Sequence, residues 1–253
     1  MNGIKIFFPF TYFFFTRLKS VREAFYHGYY EWLISILILL YIGNFTILQS
    51  FINFAFGYLA FICIYEIGYL INDVYSINDE NAPRKRLGDY TPSNGFVCLW
   101  LLVRLGIFGL ITWQLKLFTN NTWILFYVAL IISFLLHNFI KNKELRVISF
   151  TSLAFLRFLA PFFIFIPAHD LSIIVPCAIL NYVIYRTLSY MASKNILVME
   201  SRKTPMFRLG YYLILVPISL WLSVFFNSFA PILFNLYYAL YVLFYLKELL
   251  IKK

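Results

Sequence analysis

The chain has 253 residues, of which 62% are hydrophobic and 22% aromatic while only 13% are charged, and its net charge is +10. That balance lies far outside the range of water-soluble domains and excludes a chain whose apolar surface is hidden in an ordinary soluble core.

From the N-terminus, the first apolar stretch runs from Ile4 to Phe15 and is too short for the ~20 residues a bilayer span needs. Thr16-Arg17 follows it in place of a small-residue cleavage site, so it reads as a retained interfacial segment within residues 1–30, not a signal peptide. Spans are then predicted at about 32–49, 50–71, 95–115, 122–140, 147–167, 171–191, 209–226 and 231–250, the first pair divided by Gly43-Asn44. The expected fold is all-α: one membrane domain over 1–253, a bundle of eight or nine transmembrane helices. Cys63, Cys98 and Cys177 lie inside apolar spans at no metal-ligand spacing and are expected in the core. His137 and His169 stand apart from other metal-type ligands.

The basic residues support this count. Seventeen of the 21 Lys and Arg fall before the first span, after the second, fourth and sixth, or at the chain's end, and the opposite loops hold only Lys116. The positive-inside rule then places both termini in the cytoplasm, with a cell inner or plasma membrane as the expected location. The charge is read as a topology signal with secondary attraction to anionic lipid. Neither nucleic acid nor a protein partner is implied.

Five of the eleven acids, Glu66, Asp73, Asp79, Glu80 and Asp89, crowd into residues 66–89. If the second span continues as a helix, Asp73, Ser76 and Glu80 share a face, with Asn72, Ser76 and Asp79 as a neighbouring stripe. Such oxygens suit Mg²⁺, which is commonly held by one or two carboxylates together with substrate phosphates. Arg84, Lys85 and Arg86, just past Pro83, are placed to grip phosphate oxygens. The plainer alternative is a solvated interfacial loop.

The run Asn72-Asp73-Val74-Tyr75-Ser76-Ile77-Asn78-Asp79-Glu80 resembles the Asn-Asp-x-x-Asp-x-x-x-Asp signature of the UbiA superfamily of intramembrane prenyltransferases. Pro83-Arg84-Lys85-Arg86 is similar to the Pro-x-Lys-Arg of that superfamily's polyprenyl-phosphate phosphoribosyltransferase branch, and Lys141 to Arg157 resembles its fourth-to-fifth helix region. Ser76 stands where the pattern has an acid, and "RTLSYMASKNILVMESRKTP" stands where a second acidic motif is expected. The resemblance implies an enzyme that joins an isoprenoid diphosphate to an acceptor with Mg²⁺ on Asn72, Asp73 and Asp79 or Glu80. Asp73, Asn72 and Arg157 would be its catalytic residues.

Arg186, Tyr190 and Lys194 follow i, i+4, i+8 spacing along the sixth span and form one polar stripe, proposed to bind phosphate in place of the missing acids. Arg104 and Arg157 lie within apolar spans, where a lone cation is costly, so each is expected to face a carboxylate, a carbonyl or an anionic substrate, with Glu66 and Asp73 as candidate partners. For Arg104 a structural ion pair is expected. If an allylic diphosphate ionises, Tyr58, Tyr65, Tyr69, Tyr182 and Tyr185 lie near the proposed site and could shield the carbocation, although most aromatic residues of so aromatic a chain are read as lipid-facing or packing residues. The substrate is therefore expected to be an isoprenoid diphosphate or, in the phosphoribosyltransferase branch, a polyprenyl phosphate with a sugar diphosphate. A non-catalytic transporter or scaffold that binds anionic lipid is the reading from another class.

Overall fold

The computed structural model describes residues 3–18, 20–75, 86–88 and 90–251. Ser76, Asp79, Glu80, Pro83, Arg84, Lys85 and Asp89 lie outside the described residues. The described residues form helices, turns and connecting segments with no strand. After a single tight turn at Gly3–Ile6 come α1 (Thr11–Arg17) and α2, whose Val21–His27, Gly28–Leu33 and Ile34–Tyr41 stretches run on continuously, the middle one wound wider as a π-helix. There follow α3 (Ile47–Val74), α4 (Asn94–Gln114), α5 (Asn121–Phe139), α6 (Leu145–Leu159), α7 (Ala168–Ser193), α8 (Pro205–Phe225) and α9 (Ala230–Ile251).

Five of these, α3, α4, α5, α7 and α8, are long and apolar enough to cross a membrane. Large apolar side chains point outward along them, among them Leu102, Leu110 and Trp113 of α4, Leu125 and Leu136 of α5, and Trp221 and Val224 of α8. Water would oppose that exposure and acyl chains would favour it, which marks a membrane protein.

Local chemistry explains the helix ends. Thr46 and Gln49 form a capping box at the start of α3, each side chain accepting from the other's backbone N–H (3.3 and 3.1 Å). The break falls at residues 42–46, so the division expected at Gly43-Asn44 is borne out, while the end of the first span and the start of the second move from 49 and 50 to 41 and 47. Ser93, Asn120 and Thr204 cap α4, α5 and α8 in the same sense, accepting from Phe96, Trp123 and Phe207. Asn44, Lys116, Asn195 and Asn227 adopt left-handed backbone (φ 53, 56, 57 and 48°) just beyond α2, α4, α7 and α8, where a helix is commonly closed off.

Two expected spans are shorter than predicted. Residues 32–49 contain only the last turns of α2 before the break, and α6 stops at Leu159, short of the expected 167. Pro161 explains the second, because it lacks an N–H and disfavours helix in the residue before it. Inside α7, Pro176 likewise removes a helical donor, and the helix widens into a π-turn at Ile179–Val183.

The chain divides into two compact units. Unit 1 comprises Met1–Asn142 and Leu159–Phe165, and unit 2 comprises Lys143–Phe158 and Ile166–Lys253. In unit 1, Ile6 and Tyr12 of the N-terminal segment form a buried cluster with Leu70 of α3, Leu87, and Val97 and Trp100 of α4. The segment expected to be merely interfacial is thus packed into the unit. Phe163 stacks on Phe126 of α5 at 4.0 Å between ring centres, which ties 159–165 to the same unit. In unit 2, Asn235 of α9 donates to the Asn181 side chain and to the Tyr212 carbonyl, both at 3.1 Å. The widened turn of α7 leaves the Leu180 and Asn181 carbonyls to accept from the Tyr211 and Tyr212 hydroxyls. Cys63 and Cys177 are buried as expected, whereas Cys98 lies on the outer face of α4.

Candidate functional site

At 28 residues α3 is about 42 Å long at 1.5 Å per residue, more than the ~30 Å apolar core of a bilayer. It is long enough to carry polar residues past the apolar core, and Asn72 and Asp73 stand on its final turn.

Asp73 is the centre of the site. Its Oδ1 accepts from Arg17 Nη2 and Arg86 Nη1, both at 3.1 Å, and from Asn72 Nδ2 at 3.2 Å. Its Oδ2 accepts from the Tyr12 hydroxyl and from Arg17 Nη2, both at 2.8 Å. The carboxylate side chain is 1% exposed, so these charge-assisted bonds stand largely apart from water. Burial, and next the Asp73 charge, push the Tyr12 phenol well above its usual range, which keeps it a donor at neutral pH. Arg86 is carried by the turn at 86–88, which buried Leu87 anchors in the core of unit 1. Arg17 lies over Tyr69, 4.1 Å from the ring centre.

A second charge pair lies deeper and holds the N-terminal segment. Arg104 donates from Nε (3.0 Å) and Nη2 (2.6 Å) to Glu66 Oε2, and both side chains are fully buried. Its Nη1 donates to the Phe7 carbonyl at 2.8 Å, and Nη2, shared with Glu66, reaches the carbonyls of Ile6 and Phe8 at 3.3 and 3.1 Å. Trp100 Nε1 also donates to Ile6, and Glu66 Oε1 accepts from the Phe13 N–H at 2.7 Å. Between these anchors Phe10 takes a left-handed backbone (φ 73°), a strained conformation for a bulky residue. The expected structural role of Arg104, with Glu66 as partner, is borne out.

Below Asp73 an aromatic ladder descends α3: Tyr69 to Tyr65 (4.9 Å between centres), Tyr65 to Phe61 (4.5 Å) and Phe61 to Tyr58 (6.1 Å), with Phe134 of α5 4.5 Å from Tyr65. Gly68 lets Phe134 approach the helix, and Asn138 donates to the Gly68 carbonyl at 3.2 Å while its own buried Oδ1 has no hydrogen-bond partner among the described residues.

Of the other predicted site residues, Arg157, Arg186, Tyr190 and Lys194 belong to unit 2. Arg157 is buried in α6. Arg186 lies 6.0 Å from the ring centres of Phe150 and Tyr182, Tyr190 stacks on Phe150 at 4.1 Å, and Lys194 lies 5.9 Å from the Tyr190 ring. The stripe is thus an alternation of cations and aromatic faces. Tyr185 accepts from Arg208 Nε at 2.9 Å.

The donors around Asp73 bear on the Mg²⁺ expected there. Among the described residues no group of three His, Cys, Asp or Glu side chains is gathered as a metal site. Both Asp73 oxygens are taken by guanidinium, amide and hydroxyl donors, and Asp79 and Glu80 lie outside the described residues, so the described groups alone do not make up a metal site. They do suit an ion that arrives with a diphosphate, since the phosphate oxygens would draw the arginines off the carboxylate.

Sequence reasoning missed Tyr12 and Arg17 as site residues. The signal available was the pairing of Tyr12 with Thr16 at i, i+4 in an otherwise Phe-rich stretch; both are buried, and Thr16 donates back to the Tyr12 carbonyl. No protein-family model, no curated protein and no solved structure matches this chain.

Proposed function

We propose that this protein is a membrane-embedded, Mg²⁺-dependent transferase of the UbiA type, which moves an isoprenoid group from its diphosphate to an acceptor at the cytoplasmic membrane face. The observation that carries this reading is the convergence of Asn72, Asp73 and Arg86 at the end of a bilayer-length helix, directly above an aromatic ladder. The eight helices α2 to α9 among the described residues are consistent with a UbiA-like bundle, of which five meet the length and composition of a span.

In the proposed reaction the bond between the isoprenoid C1 and the diphosphate oxygen breaks, and its electron pair leaves with pyrophosphate. A carbon or oxygen of the acceptor then bonds to C1 and gives up its proton. Mg²⁺ entering with the diphosphate would be held by Asp73 and the Asn72 carboxamide, with Asp79 or Glu80, and would offset charge on the leaving group. Arg86 donates to the leaving oxygens once they replace Asp73 as its partner. Tyr69, Tyr65 and Phe134 offer π-faces to the cationic carbon and exclude water from it. Arg84, Lys85, Arg186, Tyr190, Lys194 and Arg157 remain proposed phosphate-binding and catalytic groups on the strength of the motif and the stripe.

The test is Asp73→Asn, assayed for Mg²⁺-dependent pyrophosphate release from an isoprenoid diphosphate. Turnover should fall about 100-fold or more, with helix content and monodispersity in detergent unchanged. A folded variant with wild-type turnover would remove the proposal.

A further inference from the structure

Arg17 has a feature that the proposed reaction leaves unused. Its Nη2 holds Asp73, but its Nη1 is buried and has no hydrogen-bond partner among the described residues. A guanidinium with an idle, desolvated N–H₂ is expensive unless that donor is reserved for something absent. The side chain is 11% exposed and is fixed by the Tyr69 face beneath it, so it does not simply reach into solvent. The segment that carries it is locked from both ends of the Phe10 strain, with Arg104 on the carbonyls of Ile6, Phe7 and Phe8 and Glu66 on the Phe13 N–H. Such an investment positions α1 far more firmly than a topology-setting interfacial stretch requires.

We infer that the N-terminal helix is part of the substrate site, and that Arg17 binds a phosphate oxyanion through its idle Nη1 together with Arg86, exchanging its ion pair with Asp73 for the anion. The ligand chemistry is a diphosphate or phosphate monoester, from a free or isoprenoid diphosphate or from a lipid headgroup. As a role in transfer this rests on the diphosphate reading above. As an anion site it stands on the geometry alone.

The exchange has an unusual consequence. Asp73 competes with the anion for Arg17 and Arg86, so in the absence of metal Asp73→Asn should tighten anion binding although it abolishes turnover. The experiment titrates inorganic pyrophosphate, in EDTA, into the purified full chain in zwitterionic-lipid nanodiscs. Wild type, Asp73→Asn, Arg17→Gln and the double variant are compared, and a parallel series uses nanodiscs containing phosphatidic acid. Asp73→Asn should bind pyrophosphate about tenfold tighter than wild type, and adding Arg17→Gln should remove that gain. A gain confined to phosphatidic acid, again lost with Arg17→Gln, supports the same site with a headgroup as its ligand. Should Arg17→Gln alone fail to fold because Asp73 loses its main partner, the Asp73→Asn and double-variant pair still decides, since neither leaves an unpaired carboxylate.

No gain in Asp73→Asn, or a gain that survives Arg17→Gln, overturns the assignment. Arg17-dependent binding without turnover of any isoprenoid diphosphate sinks the transferase reading and leaves Arg17 standing. Turnover with KM unchanged in a folded Arg17→Gln does the reverse.

Discussion

Replacing Arg104 by Met should undock the N-terminal segment. In the wild type this one guanidinium meets Glu66 twice and the carbonyls of three successive residues, Ile6, Phe7 and Phe8, and stacks 3.2 Å from the Trp100 ring centre. Met fills similar volume but leaves the fully buried Glu66 with backbone N–H donors, those of Phe13 and Phe10, and no countercharge. Breaking a buried ion pair from one side costs about 3–5 kcal/mol, or more than a hundredfold in the population of the undocked state. The fitting assay is hydrogen exchange in detergent at the Phe13 amide and the backbone of residues 6–17, supported by chymotrypsin cleavage among Phe7, Phe8, Phe10 and Phe13. Exchange there should accelerate about a hundredfold while the mid-span amides of α3 and α5 hold their protection. Adding Glu66→Gln removes the stranded charge and keeps an acceptor for Phe13, so the double variant should recover in part and retain a loss of about 1–3 kcal/mol for the carbonyls without donors. Wild-type exchange in Arg104→Met would refute the reasoning.

Gly57→Ala should destabilise unit 1 by about 1–3 kcal/mol and more than Gly68→Ala, as read by thermal unfolding in detergent. The added Cβ at 57 meets the backbone carbonyl of Pro161, whereas that at 68 meets the Phe134 ring, which can shift. Asn235→Leu strands the Asn181 oxygen and the Tyr212 carbonyl in unit 2 and should lower stability by about 1–3 kcal/mol; an unchanged melting curve would show that the polar knot around the α7 widening is dispensable.

The parts of this structure that the sequence foretold are those governed by local rules or by the cost of charge in an apolar span. The all-helical membrane character follows from composition, and the Glu66–Arg104 partnership follows from two lone charges that neither lipid nor core tolerates singly. What escaped was tertiary in origin. Arg17 looked like one more cation in a basic run, because its partner is 56 residues away and only the docking of Ile6 and Tyr12 brings the two together. The end of α6 was misjudged because apolar content continues past Pro161, although the helical backbone does not. The Gly43-Asn44 break was legible, but the start of α3 at Ile47 was not: Thr46 and Gln49 are unremarkable as composition and matter only as a reciprocal cap.

The central claim is that Asp73 and the cations around it form a diphosphate site. Its most direct test is the thermal stability of the purified protein in detergent, wild type beside Asp73→Asn, with geranylgeranyl diphosphate and with phosphoribosyl diphosphate in its place, each with and without Mg²⁺. A ligand that binds only the folded state raises apparent stability, by about 2.7 kcal/mol at a hundred times its Kd. Stabilisation of the wild type by geranylgeranyl diphosphate that requires Mg²⁺, with the Mg²⁺ requirement gone in Asp73→Asn, is the predicted result. No shift with either donor, with or without Mg²⁺, would contradict it.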